Sequence, residues 1–307
     1  VVADPGLFPL ILMLDIWLLG QHHVASTFTR LCFSREDFAR HRFLVVYLPL
    51  IVLAGTFAAG SALGWWILGT TYFYWQWFHY TRQSWGVSQA YRRRADGNAD
   101  GDELAGKLAF YLPPLWGILH RSWQSPDRFI GVAIETLPVP GIVVDLVGVA
   151  AIVALAWWAM LRLQAWRQGR FAAGYTFYIA SHHTIFFVGY YLIDNVTHGW
   201  LVLNVWHNLQ YILFVWLQNK RRFASGIEPA KRWLSTLCQP DKAWLYFFVC
   251  LALSSIGYLA LRGFNHALGV TGLPLLMMMY MTINFHHYIV DGVIWKSKRK
   301  AAVPAAA

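Results

Sequence analysis

Eight histidines fall inside apolar stretches long enough to cross a bilayer: His22, His23, His79, His182, His183, His207, His286 and His287. Ionisable side chains are rare and costly at such depth, so a set of them marks a candidate site. Neutral imidazole is the commonest protein ligand for iron, copper and zinc, and a cation would satisfy the lone pairs of several rings at once. Without one, each ring needs another hydrogen-bond partner in an apolar medium. A ligating imidazole usually gives its second N–H to a carboxylate, carbonyl or amide, and polar residues stand at helical spacing to serve this way. Asp15 precedes His22 by seven residues, Gln76 and Gln83 flank His79 at minus three and plus four, Asn204 and Gln210 flank His207 at three, and Asp291 follows His287 by four. Each pair shares a helix face.

The competing reading is structural. A lone transmembrane histidine is more often an interhelical hydrogen-bonding group than a ligand. Within each His-His pair the side chains point about 100° apart, so one of the two is expected to pack while the other faces a metal. His41 and His120 lie at loop edges and His198 and His266 at the outer surface, and all four are set aside. Cys32, Cys238 and Cys250 have no CxxC spacing and are expected to be inert.

The elements that must position these rings are membrane helices. Of 307 residues, 57% are hydrophobic, 17% aromatic and only 13% charged, which is not the composition of a soluble domain. Apolar windows of about 18–25 residues recur along the whole sequence. Candidate spans lie at about 7–29, 43–65, 66–90, 108–120, 141–163, 173–196, 200–219, 243–262 and 271–295. The expected fold is all-α: one polytopic integral membrane domain over 1–307, with eight or nine transmembrane helices. The segment 108–120, interrupted by Pro113 and Pro114, reads equally as a kinked span, a re-entrant segment or an interfacial helix. The first residue is Val1 rather than Met, which leaves room for an upstream segment.

Charge gives the orientation. With nine crossings one side receives the clusters around Arg35, Arg93, Arg167, Arg221 and Lys298, whereas the other receives little beyond Arg121, Arg128 and Arg262. The positive-inside rule then places the N-terminus outside and the C-terminus in the cytoplasm, in what is expected to be a bacterial inner membrane. Basic loops against an anionic leaflet account for the net charge of +10 without nucleic acid. The acidic run from Asp96 to Glu103 lacks EF-hand spacing and reads as a solvated turn. Asn195-Val196-Thr197 matches a glycosylation pattern that carries no meaning in a bacterium. Under this topology the histidines come from five helices to one level in the cytoplasmic half, and the crowded aromatics of the third, sixth and seventh spans read either as packing or as a channel for a long hydrophobic substrate.

The motifs Gln21-His22-His23, Phe78-His79-Tyr80, Ser181-His182-His183, Trp206-His207-Asn208 and Phe285-His286-His287 are similar in kind to those of the integral-membrane histidine-cluster oxygenases. These include fatty-acid desaturases, alkane and sterol hydroxylases, and the bacterial β-carotene dioxygenases related to bacterio-opsin-related protein. The HxxxH and HxxHH boxes of the first groups are absent, and the Pro-His-Gly signature of the last is replaced by Gln21-His22-His23-Val24. The resemblance implies a membrane-embedded non-haem iron oxygenase, with two irons expected from the number of histidines, that oxidises a lipophilic substrate with dioxygen and draws on a separate electron donor. Its mono-iron alternative is carotenoid cleavage of the β-carotene dioxygenase kind. Two other readings stay open: a metal-ion or proton transporter with a histidine relay, and haem held between helices.

Overall fold

The computed structural model describes residues 5–267, apart from 96, 98 and 100, and residues 273–294. The chain is all-helical, and among the described residues nine helices are 20 or more residues long: α1 (Phe8–Leu31), α2 (Arg35–Leu63), α3 (Trp66–Arg93), α4 (Glu103–Trp123), α5 (Gly141–Arg167), α6 (Ala173–Phe187, continued by Val188–Leu192), α7 (Val196–Arg222), α8 (Ala243–Ala267) and α9 (Leu273–Ile294). Among the described residues, four helical segments are long and apolar enough to cross a membrane: α1, α2, α5 and Pro240–Gly263, which contains most of α8. α5 exposes Ile142, Leu146, Val149, Ile152, Val153 and Met160 on its outer surface, as a lipid-facing helix does. The acidic-turn residues Asp96, Asn98 and Asp100, and the basic C-terminal residues from Lys296 onward, lie outside the described residues.

Local chemistry sets where the helices begin and end. Ser34 caps α2 by accepting the Asp37 N–H, and Asn195 caps α7 by accepting those of Thr197 and His198. Gly64, at φ +96°, ends α2 in a positive-φ conformation that glycine adopts without steric cost. The stretch around Pro113 and Pro114, left open above, is one continuous helix within the 21 residues of α4. The two prolines remove helical donors, and the Pro114 carbonyl accepts the Trp77 indole N–H at 2.6 Å. A feature without a sequence signal is a two-residue hairpin between α4 and α5, in which Arg128 pairs with Ala133 and Phe129 with Val132.

Helices α1, α7, α3 and α9 meet in that cyclic order and form an inner ring. They run parallel. Before the histidines Asp15 of α1 meets Asn204 of α7, and Tyr72 of α3 meets Tyr280 of α9; beyond them Thr29 of α1 meets Asn219 of α7. Around the ring, α8 packs on α1, α2 on α9 and α3, α6 on α7, α3 and α4, and α5 on α4. Many of the buried polar residues lie on the ring helices, and those other than α1 miss the hydropathy needed to count as spans by composition alone.

Candidate metal centre

Each ring helix brings one imidazole to a common point. His23 of α1, His79 of α3, His207 of α7 and His287 of α9 are all buried, with ring centroids 4.8 Å apart for His23 and His207, 4.4 Å for His23 and His287, and 5.1 Å from His79 to both His207 and His287. Asp291, one helical turn beyond His287, completes the group. Ligand atoms of His23, His79, His287 and Asp291 all lie within 4.8 Å of one another.

The nitrogen atoms face one another across a short gap. His23 Nε2 faces His287 Nε2 at 2.7 Å, and the Asp291 carboxylate lies 3.5 Å from the same His287 nitrogen. His79 Nε2 and His207 Nε2 are buried with no hydrogen-bond partner among the described residues. His23, His79, His287 and Asp291 offer a donor set that could hold a divalent transition metal, with His207 packed beside them. A small cavity of about 50 Å³ adjoins His23, His207 and His287 on the side toward Asn204.

Neighbouring side chains fix the rings. His23 Nδ1 donates to Asn208 Oδ1 at 2.7 Å, which leaves its Nε2 as the lone-pair nitrogen. Thr27 reaches His287 Nδ1 at 3.4 Å and the Tyr211 hydroxyl at 2.8 Å, and Tyr211 donates to Asp291 at 2.8 Å. Tyr80 lies flat on His207, centroids 3.9 Å apart, and Tyr288 on His79 at 4.2 Å. Tyr80 also donates to Asn204, whose amide bonds Asp15.

The structure thus separates the eight sequence candidates into two sets. His22 turns away from the cluster and sets its ring edge-on to Phe247 of α8. His286 donates from Nε2 to the Leu44 carbonyl of α2 at 2.7 Å. His182 and His183 sit on α6, where His182 stacks on Phe110 at 3.9 Å and His183 meets Trp158 edge-on. Phe110 is the residue whose carbonyl loses its helical donor to Pro114.

The supporting residues also differ from their expected pairings. Asp15 was expected to share a face with His22. A wide turn over Ile16–Gly20, closed by the Gln21 N–H to the Ile16 carbonyl, adds one residue to the helical repeat and brings Asp15 into line with His23 instead. Asp15 and His23 then meet Asn204 and Asn208, one turn apart on α7. Gln83 reaches across to His207 Nδ1 at 3.5 Å rather than back to His79, and Asn204 serves Asp15 and Tyr80 rather than His207. Gln210 bridges Tyr178 and Ser84. Gln76 is buried on α3, and its Oε1 accepts no hydrogen bond among the described residues. Asp291 alone takes the place its spacing indicated. Asn208, Thr27, Tyr80, Tyr211 and Tyr288 were not anticipated. Spacing signals two of them: Thr27 and Tyr211, like Gln83 and Asp291, stand four residues after one of the four clustered histidines, whereas Tyr80, Asn208 and Tyr288 directly follow one.

Comparison of the chain with protein-family models, with curated proteins and with solved structures finds no match.

Proposed function

We propose that this protein is a membrane-embedded non-haem iron oxygenase that oxidises a lipophilic substrate with dioxygen. The observation that carries the reading is the convergence of His23, His79, His207 and His287, from four parallel helices, on one buried point beside Asp291. Held there, iron would supply dioxygen activation. The one-iron form is preferred to two because the carboxylate gathers with His23, His79 and His287 at one point, with His207 beside them, whereas His22, His182 and His183 pack on other aromatic rings with their nitrogens unpartnered among the described residues and His286 bonds the Leu44 carbonyl. In this reading Asn208 sets the tautomer of His23, and Tyr211 orients the Asp291 carboxylate. Tyr80 and Tyr288 cover His207 and His79 and keep bulk water from the rings.

The nine long helices are read as nine crossings of a bacterial inner membrane, with the N-terminus outside and the C-terminus cytoplasmic. The clustered basic loops support that orientation. The bilayer delivers the substrate laterally, and a separate electron donor serves the site from the basic face unless the substrate itself supplies the electrons. Elemental analysis of detergent-purified protein tests the assignment. His79→Ala and His207→Ala are expected to lose bound iron while still inserting, and His183→Ala to keep it; iron retained in the first two, or lost equally in all three, defeats it.

A further inference from the structure

A cavity of about 700 Å³ opens from the cluster toward the C-terminal ends of the ring helices. Its inner wall includes His79, Tyr288 and Asp291, so it reaches the proposed metal centre directly. Three arginines line it: Arg82, Arg30 and Arg93. Arg93 stands at the end of α3, where the positive-inside rule already accounts for a basic residue. Arg82 stands three turns short of that end and is exposed. It follows His79 by three residues, about 4.5 Å along α3, and its helix continues for eleven residues to Arg93.

A cation within a spanning helix faces an aqueous or ligand-filled cavity or pairs with a counter-charge. Arg82 faces the cavity, and no salt bridge joins it to a carboxylate among the described residues. The rest of the lining includes Trp75 and Trp85 on the same helix as Arg82, Tyr111 of α4 and Phe214 of α7. At the rim Phe78 of α3 and Val293 of α9 are 43% and 46% exposed, on the surface that a bilayer would cover.

We propose that this cavity takes a long-chain amphiphile with an anionic head, a carboxylate or a phosphate, held by Arg82 with Arg30 and Arg93 beyond it. The chain leaves past Phe78 and Val293 into the lipid. A head fixed one turn from His79 brings the carbons nearest the head, rather than the far end of the chain, to the cluster. This assignment rests on the oxygenase reading for its catalytic meaning, but the binding it asserts does not need the metal.

The test therefore uses the full chain in nanodiscs of neutral lipid after chelator treatment, with a diazirine-bearing long-chain fatty acid as photolabel and mapping of the labelled peptides. Labelling is expected on peptides carrying Trp75, Phe78 or Phe214, and competition by hexadecanoic acid or hexadecyl phosphate but not by hexadecanol. Whichever of the two anions competes better identifies the head group. Arg82→Gln should weaken labelling about tenfold, as loss of a charge-assisted contact does, and Arg82→Lys should restore most of it. Equal competition by the alcohol, unchanged labelling in Arg82→Gln, or labels scattered outside the cavity overturns the proposal. Wild type that holds no iron before chelation and takes none up on reconstitution, with the labelling pattern intact, would remove the oxygenase reading and leave the binding site standing.

Discussion

At the residue scale, the chemistry of the centre depends on which ring of each His-His pair turns inward, and spacing alone did not settle that. Adjacent side chains diverge by about 100°, so Gln21-His22-His23 offers two answers until the phase of α1 is known. The i+4 relation was more informative. Asp291 was legible from it, and the same spacing marks Thr27, Gln83 and Tyr211. Asn208 escaped notice because it adjoins His207 in sequence yet serves His23 on another helix. Removing that partner should weaken metal binding without abolishing it: Asn208→Ala is expected to lower affinity about 10- to 100-fold, measured by equilibrium dialysis with Fe²⁺. Gln210→Ala, whose partners are Tyr178 and Ser84, should leave affinity unchanged. Outside the helices, burial pushes the Cys238 thiol up to about 12. It stays protonated at neutral pH, so it should resist maleimide until strongly alkaline conditions or unfolding expose it; rapid labelling at pH 7 would contradict that.

At the element scale, α1, α2, α5 and most of α8 were readable because each carries a long apolar run, whereas the internal irregularities of the helices were not. Nothing in Ile16-Trp17-Leu18-Leu19-Gly20 announces a wide turn, yet that turn decides the direction of Asp15, His22 and His23. Deleting Leu18 should restore a straight helix and rotate His23 away from α7. The expected result is loss of bound metal with every histidine still present and membrane insertion intact. A second irregularity, Val188–Leu192 at the end of α6, leaves carbonyls without helical donors, and the fully buried Arg121 of α4 bonds those of Gly189, Ile193 and Asp194. Charge counting alone makes Arg121 no more than one of the few charges on the outer side. Arg121→Ala should destabilise the fold by about 2–4 kcal/mol, seen as a lowered midpoint in a thermal aggregation assay in detergent. The hairpin at Arg128–Ala133 was missed because two-residue strands have no alternating pattern to detect.

At the scale of the whole molecule, hydropathy reports the outside of the bundle and the histidines report its inside. α2 and α5 face outward and read plainly as spans; α3, α7 and α9 carry the site and lose mean hydropathy for that reason. The parallel arrangement of α1, α3, α7 and α9 follows if every crossing between them is made, which makes topology itself testable. Single cysteines introduced at Asp127 and Asp194 should label from the outer side, and those at Gly97 and Gly226 only after the membrane is made permeable. Any member of either pair labelled from the other side would remove the nine-crossing arrangement.

The central claim is that one ion sits among four imidazoles contributed by four helices. X-ray absorption at the iron K edge on purified, iron-reconstituted protein tests it most directly. The expected spectrum is that of a single iron with an imidazole-dominated ligand set, no sulfur ligand and no iron–iron scattering, from a sample whose optical spectrum has no Soret band. An iron–iron vector would contradict the one-ion centre, and failure to take up stoichiometric iron would contradict the metal centre as a whole.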